Sequence, residues 1–344
     1  MQTESPTNKS NWPQTAILYL FCRTPLHVGA GASVGAIDLP IIRERHTDFP
    51  IIPGSTLKGV FADEWNELKN QSWQRSTEGE RLFGKGSDKE AQSGLLQFSE
   101  AKLLAFPIRS LKGCFGWISC PLILKRYIRD KEHKDQNLYD GLSNLSLEDN
   151  EFLSDQACSL LVDSNSVVLE EYIFNKKASS LNWEELSKLL DFNSIAKELG
   201  DNLWEEIPKR LIILSDGMMS FFAKTACEIA QHVKISDETG TAESGALFNQ
   251  ENVPSETLFC SIIRKGCERP NPLSVSSNPP QTNSSSELEP TSSSSHQNNQ
   301  GQDNLRDPFE ILSQKIKEKK YLFQFGADSG TGLGYCSTYL HQQG

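Results

Sequence analysis

The chain has 344 residues, a hydrophobic fraction of 37% and a formal net charge of −11 at pH 7. It has no run of about 18 apolar residues and no basic-then-apolar signal at its polar N-terminus, so we expect a cytoplasmic protein without a membrane-spanning helix. The acidic balance argues against nucleic-acid binding by bulk electrostatic attraction, and the eight cysteines lack the C-x-x-C spacing of a zinc site.

The N-terminal part of the chain predicts a strand, a loop, a short strand and a helix, in that order. Residues 15–23 form a β-rich run, and a glycine-rich loop then leads to Asp38. Residues 49–53 are expected to be extended, and Ser55 is expected to N-cap a helix that runs to about Lys69. This order of elements fits the opening of a ferredoxin-like unit.

The middle of the chain predicts a mixture of strands and helices. The predicted strands lie at residues 94–98, 102–106, 114–119, 167–174, 210–214, 245–249 and 257–264, and we expect the first two to pair with each other. One predicted helix begins at Pro121, and further helices are predicted at residues 147–165, 183–209 and 221–230. The sequence therefore predicts an α+β chain with a helical insertion within residues 130–210.

Residues 268–308 differ in composition from the rest of the chain. Ser, Asn, Pro and Gln dominate, so apolar burial cannot offset the entropy of ordering, and we predict a disordered surface insertion. The predicted helix 308–320, strand 321–325 and glycine loop 326–334 that follow are too small to fold alone. We therefore expect them to join the core of a single domain covering residues 1–344.

Three features of the chain could bind phosphate. Residues 101–129 carry six basic side chains and no acidic one, which predicts a basic face that includes Arg109 and Lys112. In the segment 54–59, a glycine, the helix N-terminus at Ser55 and the charge of Lys58 suit an anion, although an ordinary capped helix with a solvated lysine is the alternative. The glycine loop 326–334 lacks the Gly-Lys-Ser/Thr ending of a P-loop, which argues against nucleotide binding.

Asp38 is the candidate catalytic residue. It lies close in sequence to Arg43, Arg45 and His46, and a carboxylate among cations can bind a divalent ion or orient a ribose 2′-hydroxyl. The alternative is a loop aspartate that caps a backbone turn. His27 is a second candidate that could reach the same site or could be a buried structural histidine. Arg43, Arg45 and His46 are expected to bind phosphate rather than to catalyse.

Four segments together resemble one protein family. They are residues 26–31, 35–47, 49–59 and 94–110. Their order and spacing resemble the RAMP superfamily and, within it, the repeating backbone subunit of type III-B CRISPR (Cmr) effector complexes. The family's C-terminal glycine loop has a counterpart at Gly326, Gly330, Gly332 and Gly334, which we expect to pack against RNA or a neighbouring subunit. In place of the family's acid–acid–tyrosine cluster the chain has Gln250-Glu251-Asn252, which argues against an auxiliary catalytic role there.

The resemblance implies a fold and a function. The fold would be a modified ferredoxin-like (RRM-like) core with a β-hairpin thumb, and copies would stack head to tail as a filament along the guide CRISPR RNA. The partners would be the guide, a target single-stranded RNA, copies of the chain and other Cmr-type subunits. Asp38 matches the family's target-cleavage residue and would act as base or as ligand of a divalent metal ion, expected to be Mg²⁺. Two alternatives stay open, a non-catalytic RNA-binding subunit and an endonuclease that processes precursor guide RNA.

Overall fold

The computed structural model of the chain describes residues 15–31, 35–69, 71–86, 91–132, 136–179, 181–236, 238–266 and 306–342. The predicted insertion at 268–308 therefore lies outside the described residues, apart from its last three. In the described part, no helix is long and apolar enough to cross a membrane. The seven cysteines in the same part are free thiols.

Strands and helices are mixed along the described part of the chain. The strands are Thr15–Cys22 (β1), Ile51–Ile52 (β2), Asn66–Lys69 (β3), Ser72–Arg75 (β4), Gly84–Lys85 (β5), Gln92–Ser93 (β6), Leu96–Phe98 (β7), Ala101–Arg109 (β8), Phe115–Ser119 (β9), Glu151–Phe152 (β10), Ser166–Leu169 (β11), Tyr172–Lys176 (β12), Leu211–Ile213 (β13), Glu228–Ile235 (β14), Ala242–Asn252 (β15), Leu258–Lys265 (β16), Leu322–Gln324 (β17) and Tyr335–Gln342 (β18). The helices are Gly54–Asp63 (α1), Thr77–Phe83 (α2), Pro121–Asp130 (α3), Gln136–Ser143 (α4), Trp183–Leu190 (α5), Phe192–Leu199 (α6), Leu203–Glu206 (α7), Asp216–Thr225 (α8) and Pro308–Glu318 (α9).

The main sheet is organised around β1. The strand order is β13-β9-β8-β16-β1-β18-β17, with β2 paired to β8 and β7 paired to β16. β1 is an apolar run whose residues 16–22 are all buried, as expected of a central strand that is covered on both faces. The order β1-α1-β8-β16-α9-β18 along the chain gives the spatial order β18-β1-β16-β8, and each neighbouring pair is antiparallel.

Helices and aromatic side chains cover the sheet. Phe61 of α1 packs against Phe323 and Phe325, with ring centroids 5.0 and 5.9 Å apart, so the C-terminal segment shares a core with the N-terminal one. Trp204 of α7 is fully buried, and its ring lies 5.2 Å from that of Phe21 in β1. Helix α7 therefore packs against the central strand.

Several sequence predictions are confirmed and others are wrong. The predicted strand at 15–23, the helix from Pro121, the helices within 183–209 and the helix at 308–320 are present. The helix predicted to reach Lys69 ends at Asp63, and residues 66–69 form β3, which pairs with β4. Ser55 is not its N-cap, because Pro53 holds that position and no side chain caps the helix.

Other differences have local causes. Residues 147–165 were predicted to be helical but form turns and β10, because Asp155 and Asp163 accept hydrogen bonds from backbone N–H groups two residues further on. The strands predicted at 94–98 and 102–106 do not pair with each other, since both pair with successive parts of β16. The helix expected at 221–230 ends at Thr225, and β14 begins three residues later.

Candidate active site

A cleft of about 420 Å³ lies where four separate parts of the chain meet. Its walls come from the loop after β1, from the segment around Asp38, from the hairpin β14–β15 and from the glycine loop 326–334. The lining residues are His27, Gly29, Gly31, Asp38, Leu39, Pro40, His232, Phe248, Gln250, Ala327, Asp328 and Thr331. The structure thus places Asp38 and His27 on the same cleft, a possibility that the sequence raised, and adds the glycine loop, which the sequence did not place there.

The Asp38 carboxylate is held on one side and free on the other. Its Oδ2 atom accepts a hydrogen bond from the backbone N–H of Asn249 at 2.9 Å. In return, the Asp38 N–H donates to Asn249 Oδ1 at 2.8 Å, and Asn249 Nδ2 donates to the carbonyl of Ala36. Among the described residues, Asp38 Oδ1 has no hydrogen-bond partner, and the side chain is exposed. The carboxylate therefore has a fixed orientation and one oxygen available for a ligand.

His27 is a buried histidine with a defined tautomer. It is 5% exposed, and its Nδ1 atom lies 2.7 Å from the backbone carbonyl oxygen of Glu251. Because a carbonyl oxygen only accepts, Nδ1 must carry the proton and donate it. The Nε2 atom of the neutral ring then keeps a lone pair, which can accept a proton or bind a metal.

The glycine loop has two packed glycines and two open ones. A Cβ atom on Gly326 would lie 2.1 Å from the His27 carbonyl oxygen, and one on Gly334 would lie 1.9 Å from the Phe325 carbonyl oxygen. No atom lies within 4 Å of a Cβ placed on Gly330 or Gly332. The loop is also tied to the segment after β1 by the Ala327 N–H, which donates to the His27 carbonyl at 2.9 Å. Gly326 and Gly334 therefore serve packing, and Gly330 and Gly332 form the open part of the loop.

The hairpin β14–β15 contributes residues that the sequence reasoning missed. His232 and Phe248 are cross-strand partners, and their rings stack 5.2 Å apart at an interplanar angle of 16°. Gln250 Nε2 donates to Asp328 Oδ2 at 2.9 Å and so links the hairpin to the glycine loop. Only the hairpin register would have shown that His232 faces the cleft, and the sequence gives no direct sign of that register.

Arg43 is engaged by protein atoms. Its guanidinium donates to Glu251 Oε1 at 2.5 Å, to the carbonyls of Asp48 and Ala223 at 2.6 and 2.8 Å, and to Cys227 Sγ at 3.3 Å. Burial opposes the charge, but Cys227 and Glu251 together raise the pKa of Arg43 above its ordinary value. The group does not line the cleft, and these contacts tie the Asp38 segment to α8 and β15.

The other two predicted phosphate ligands near Asp38 differ in their contacts with the rest of the protein. Arg45 is exposed, and the structure gives it no polar contact within the described residues. His46 is exposed as well, and its Nε2 lies 2.9 Å from Arg126 Nη2. Arg126 also donates to both carboxylate oxygens of Glu44. Burial opposes ionisation of Glu44, but hydrogen bonds from Thr47 and Arg126 lower its pKa.

Ser55 and Lys58 lie exposed in the first turns of α1. The glycine that precedes them has a packing role, because a Cβ atom on Gly54 would lie 2.4 Å from the carbonyl oxygen of Phe98. That contact alone explains why this position is a glycine, so no bound phosphate is needed to explain it.

The basic stretch 101–129 is not a free basic face. Five of its six basic side chains contact acceptors of the protein itself: Lys102 and Arg129 contact Asp130, Arg109 contacts Glu170, Lys112 donates to the carbonyl of Leu161, and Arg126 contacts Glu44. Folding thus brings Glu44 and Glu170 to the segment, and Asp130 lies immediately after it in the chain.

A larger cleft of about 560 Å³ lies beside the β3–β4 hairpin and is lined by Trp65 and Lys315, among others. None of the predicted site residues lines it. Trp65 Nε1 already donates to Glu78 Oε2, and Lys315 lies over the Trp65 ring. The chemistry that the sequence points to therefore lies in the smaller cleft.

Comparison with known proteins identifies the family. The RAMP superfamily model matches residues 20–337, and the chain belongs to this superfamily. The CRISPR system Cmr endoribonuclease Cmr4 of Pyrococcus furiosus is 36% identical over 249 residues, which cover 71% of this chain and 79% of that protein. The CRISPR system CMR subunit Cmr4 of Saccharolobus solfataricus is 28% identical over 256 residues, which cover 69% and 80% of the two chains.

Solved structures match the fold as well. Oligomeric Cmr4 from Pyrococcus furiosus superposes with a TM-score of 0.61 at 22% identity and covers 96% of this chain and 98% of that one. A chain of the type III-B Cmr-beta complex bound to cognate target RNA gives a TM-score of 0.63 at 18% identity, with the same coverage. The mixed α+β fold of the chain is therefore that of Cmr4 structures.

Proposed function

We propose that the chain is a guide-RNA-binding backbone subunit of a cytoplasmic type III-B CRISPR effector complex and that it cuts the target RNA paired to the guide. The observation that carries the proposal is the cleft, in which a fixed Asp38 carboxylate, the lone pair of His27 and a glycine loop meet. The 36% identity to a Cmr endoribonuclease supports the activity. The oligomeric and RNA-bound relatives support stacking of copies along a guide, together with other Cmr-type subunits.

We also propose a modified ferredoxin-like core. The antiparallel order β18-β1-β16-β8, with α1 in the first crossover and α9 in the second, supports this assignment. The hairpin β14–β15, which forms a sheet of its own, would be the thumb. In this arrangement the cleft lies between the core and the thumb, where a stacked RNA strand would pass.

The chemistry follows from the free atoms of the cleft. His27 Nε2 is suited to accept the proton of a ribose 2′-hydroxyl, whose oxygen then attacks the adjacent phosphorus. Asp38 Oδ1 is suited to bind a divalent cation, and Mg²⁺ commonly takes one carboxylate and completes its shell with phosphate oxygens and water. No group of three or more His, Cys, Asp or Glu is placed to hold a metal within the part of the chain that the structure describes. An ion held mainly by RNA fits that finding, and it would stabilise negative charge on the phosphate.

Guide binding would rest on a few exposed groups. Arg45, Lys58 and the N-terminal turn of α1 with Ser55 are the predicted ligands that lie open to solvent. Arg109 and Lys112 are exposed too but already contact Glu170 and the Leu161 carbonyl, so RNA would have to compete with those contacts. Gly330 and Gly332 leave room for a backbone to approach the glycine loop.

The test is target cutting by the assembled complex with Asp38→Asn. Because the variant keeps the shape but loses the charge, we expect cutting to fall by about 100-fold or more, with guide binding and assembly unchanged. Asp48→Asn is the matched control, since Asp48 lies in the same segment, pairs with Lys224 at the surface and does not line the cleft. Wild-type cutting by Asp38→Asn would contradict the assignment, and loss of assembly would indicate a structural role.

A further inference from the structure

The cleft contains a second imidazole, His232, on the side opposite His27. Residues around Asp38 lie along one edge of β15, where Leu39 bridges Gln250, and β14 lies along the other edge. Because neighbouring strands are about 4.8 Å apart, His232 and Asp38 are separated by two strand spacings and flank the same opening. His27 is on the Asp38 side, since its Nδ1 atom is bound to the Glu251 carbonyl of β15.

The His232 ring is fixed by stacking, but one of its nitrogen atoms lacks a hydrogen bond among the described residues. Its stack on Phe248 fixes the plane of the ring. Its Nε2 atom is shielded from water and has no hydrogen-bond partner among the described residues. A buried polar nitrogen without a partner is costly. A ligand group in the cleft is the partner that this nitrogen lacks.

We propose that His232 is the general acid of the RNA-cutting reaction. This proposal rests on the function proposed above. His27 Nε2 takes the 2′-hydroxyl proton as the bond between the 2′-oxygen and phosphorus forms. The bond between phosphorus and the 5′-oxygen breaks, and the protonated His232 ring gives its proton to that leaving oxygen. The products are a 2′,3′-cyclic phosphate and a 5′-hydroxyl, and one proton is accepted and one is donated in each cut.

The test uses the assembled complex and two target RNAs that differ in one atom. One RNA has the natural 5′-oxygen at the cut position, and the other has a bridging 5′-sulfur, which leaves without needing a proton. We expect His232→Gln to slow cutting of the oxygen substrate by about 100-fold or more and to cut the sulfur substrate within a few-fold of the wild-type rate. His232→Phe, which keeps an aromatic ring on Phe248, should behave in the same way.

Two controls separate the possible failures. Asp38→Asn should slow both substrates, and His341→Gln, a histidine of β18 outside the cleft, should slow neither. Equal slowing of both substrates by His232→Gln, or wild-type rates for either His232 variant on the oxygen substrate, would overturn the general-acid role while leaving the proposed function intact. A wild-type complex that cuts neither substrate would overturn both proposals.

Discussion

Gly326 offers a sharp test of how the cleft is built. It has a φ angle of +77°, and a Cβ atom there would lie 2.1 Å from the His27 carbonyl oxygen. An alanine in the left-handed region costs about 1–2 kcal/mol, and overpacking against fixed atoms adds about 1–3 kcal/mol. We therefore expect Gly326→Ala to lower the free energy of unfolding by roughly 2–5 kcal/mol.

Gly330 in the same loop is the matched control. No atom lies within 4 Å of its Cβ position, and its φ angle is not in the left-handed region. Gly330→Ala should therefore leave stability unchanged or raise it by about 0.4–1 kcal/mol, because it restricts the unfolded chain. Urea unfolding of both variants, followed by circular dichroism, measures the difference. Equal stability of the two variants would refute the close approach of the loop to the His27 carbonyl.

Three further predictions address the ion pairs and charges. Glu251→Gln should destabilise the fold by about 3 kcal/mol, because it leaves the largely buried Arg43 without its carboxylate; a chemical unfolding midpoint equal to that of wild type would contradict this. Lys58→Ala should weaken guide binding and flatten its salt dependence by about one counterion, as a filter-binding titration at several salt concentrations would show; an unchanged slope would mean that Lys58 makes no contact with the guide. Burial, reinforced by Asp201, raises the pKa of Glu256 from 4.5 to about 7, so its contribution to stability is full below pH 4.5 and is lost as the pH rises through 7. Glu256→Gln should remove part of that loss, and unfolding curves with the same pH dependence as wild type would count against it.

The sequence predicted the elements whose signal is local. β1 is an uninterrupted apolar run, α3 begins at a proline, and α9 has a helical apolar pattern, so each could be assigned from its own residues. β18 was missed because four of its eight residues are Ser, Thr, His or Gln, yet it pairs with β1 along seven residues. Its strand character comes from its partner rather than from its own composition.

The same distinction holds for the site. Asp38 and His27 could be predicted as site candidates because they lie in two short motifs that are close to one another in the chain. Asn249, which fixes the Asp38 carboxylate, and His232 come from a hairpin far along the chain. Their positions depend on the register of β14 with β15 and on the bridge between Leu39 and Gln250. Such contacts are set by the pairing of distant strands, which neither the hydrophobic periodicity of one segment nor a short motif reveals.

The acidic charge of the chain bears on how it would hold RNA. With a net charge of −11 and five of the six basic groups of the 101–129 stretch engaged by the protein, little long-range attraction is left for a random RNA. Affinity would then come from a few exposed cations, such as Arg45 and Lys58, together with backbone N–H groups at the start of α1. One subunit would bind RNA weakly, whereas copies stacked along one guide would bind it tightly, because each added copy acts at a high effective concentration. We therefore expect an acidic subunit of this kind to select for the assembled guide and its isolated copies to bind unrelated RNA poorly.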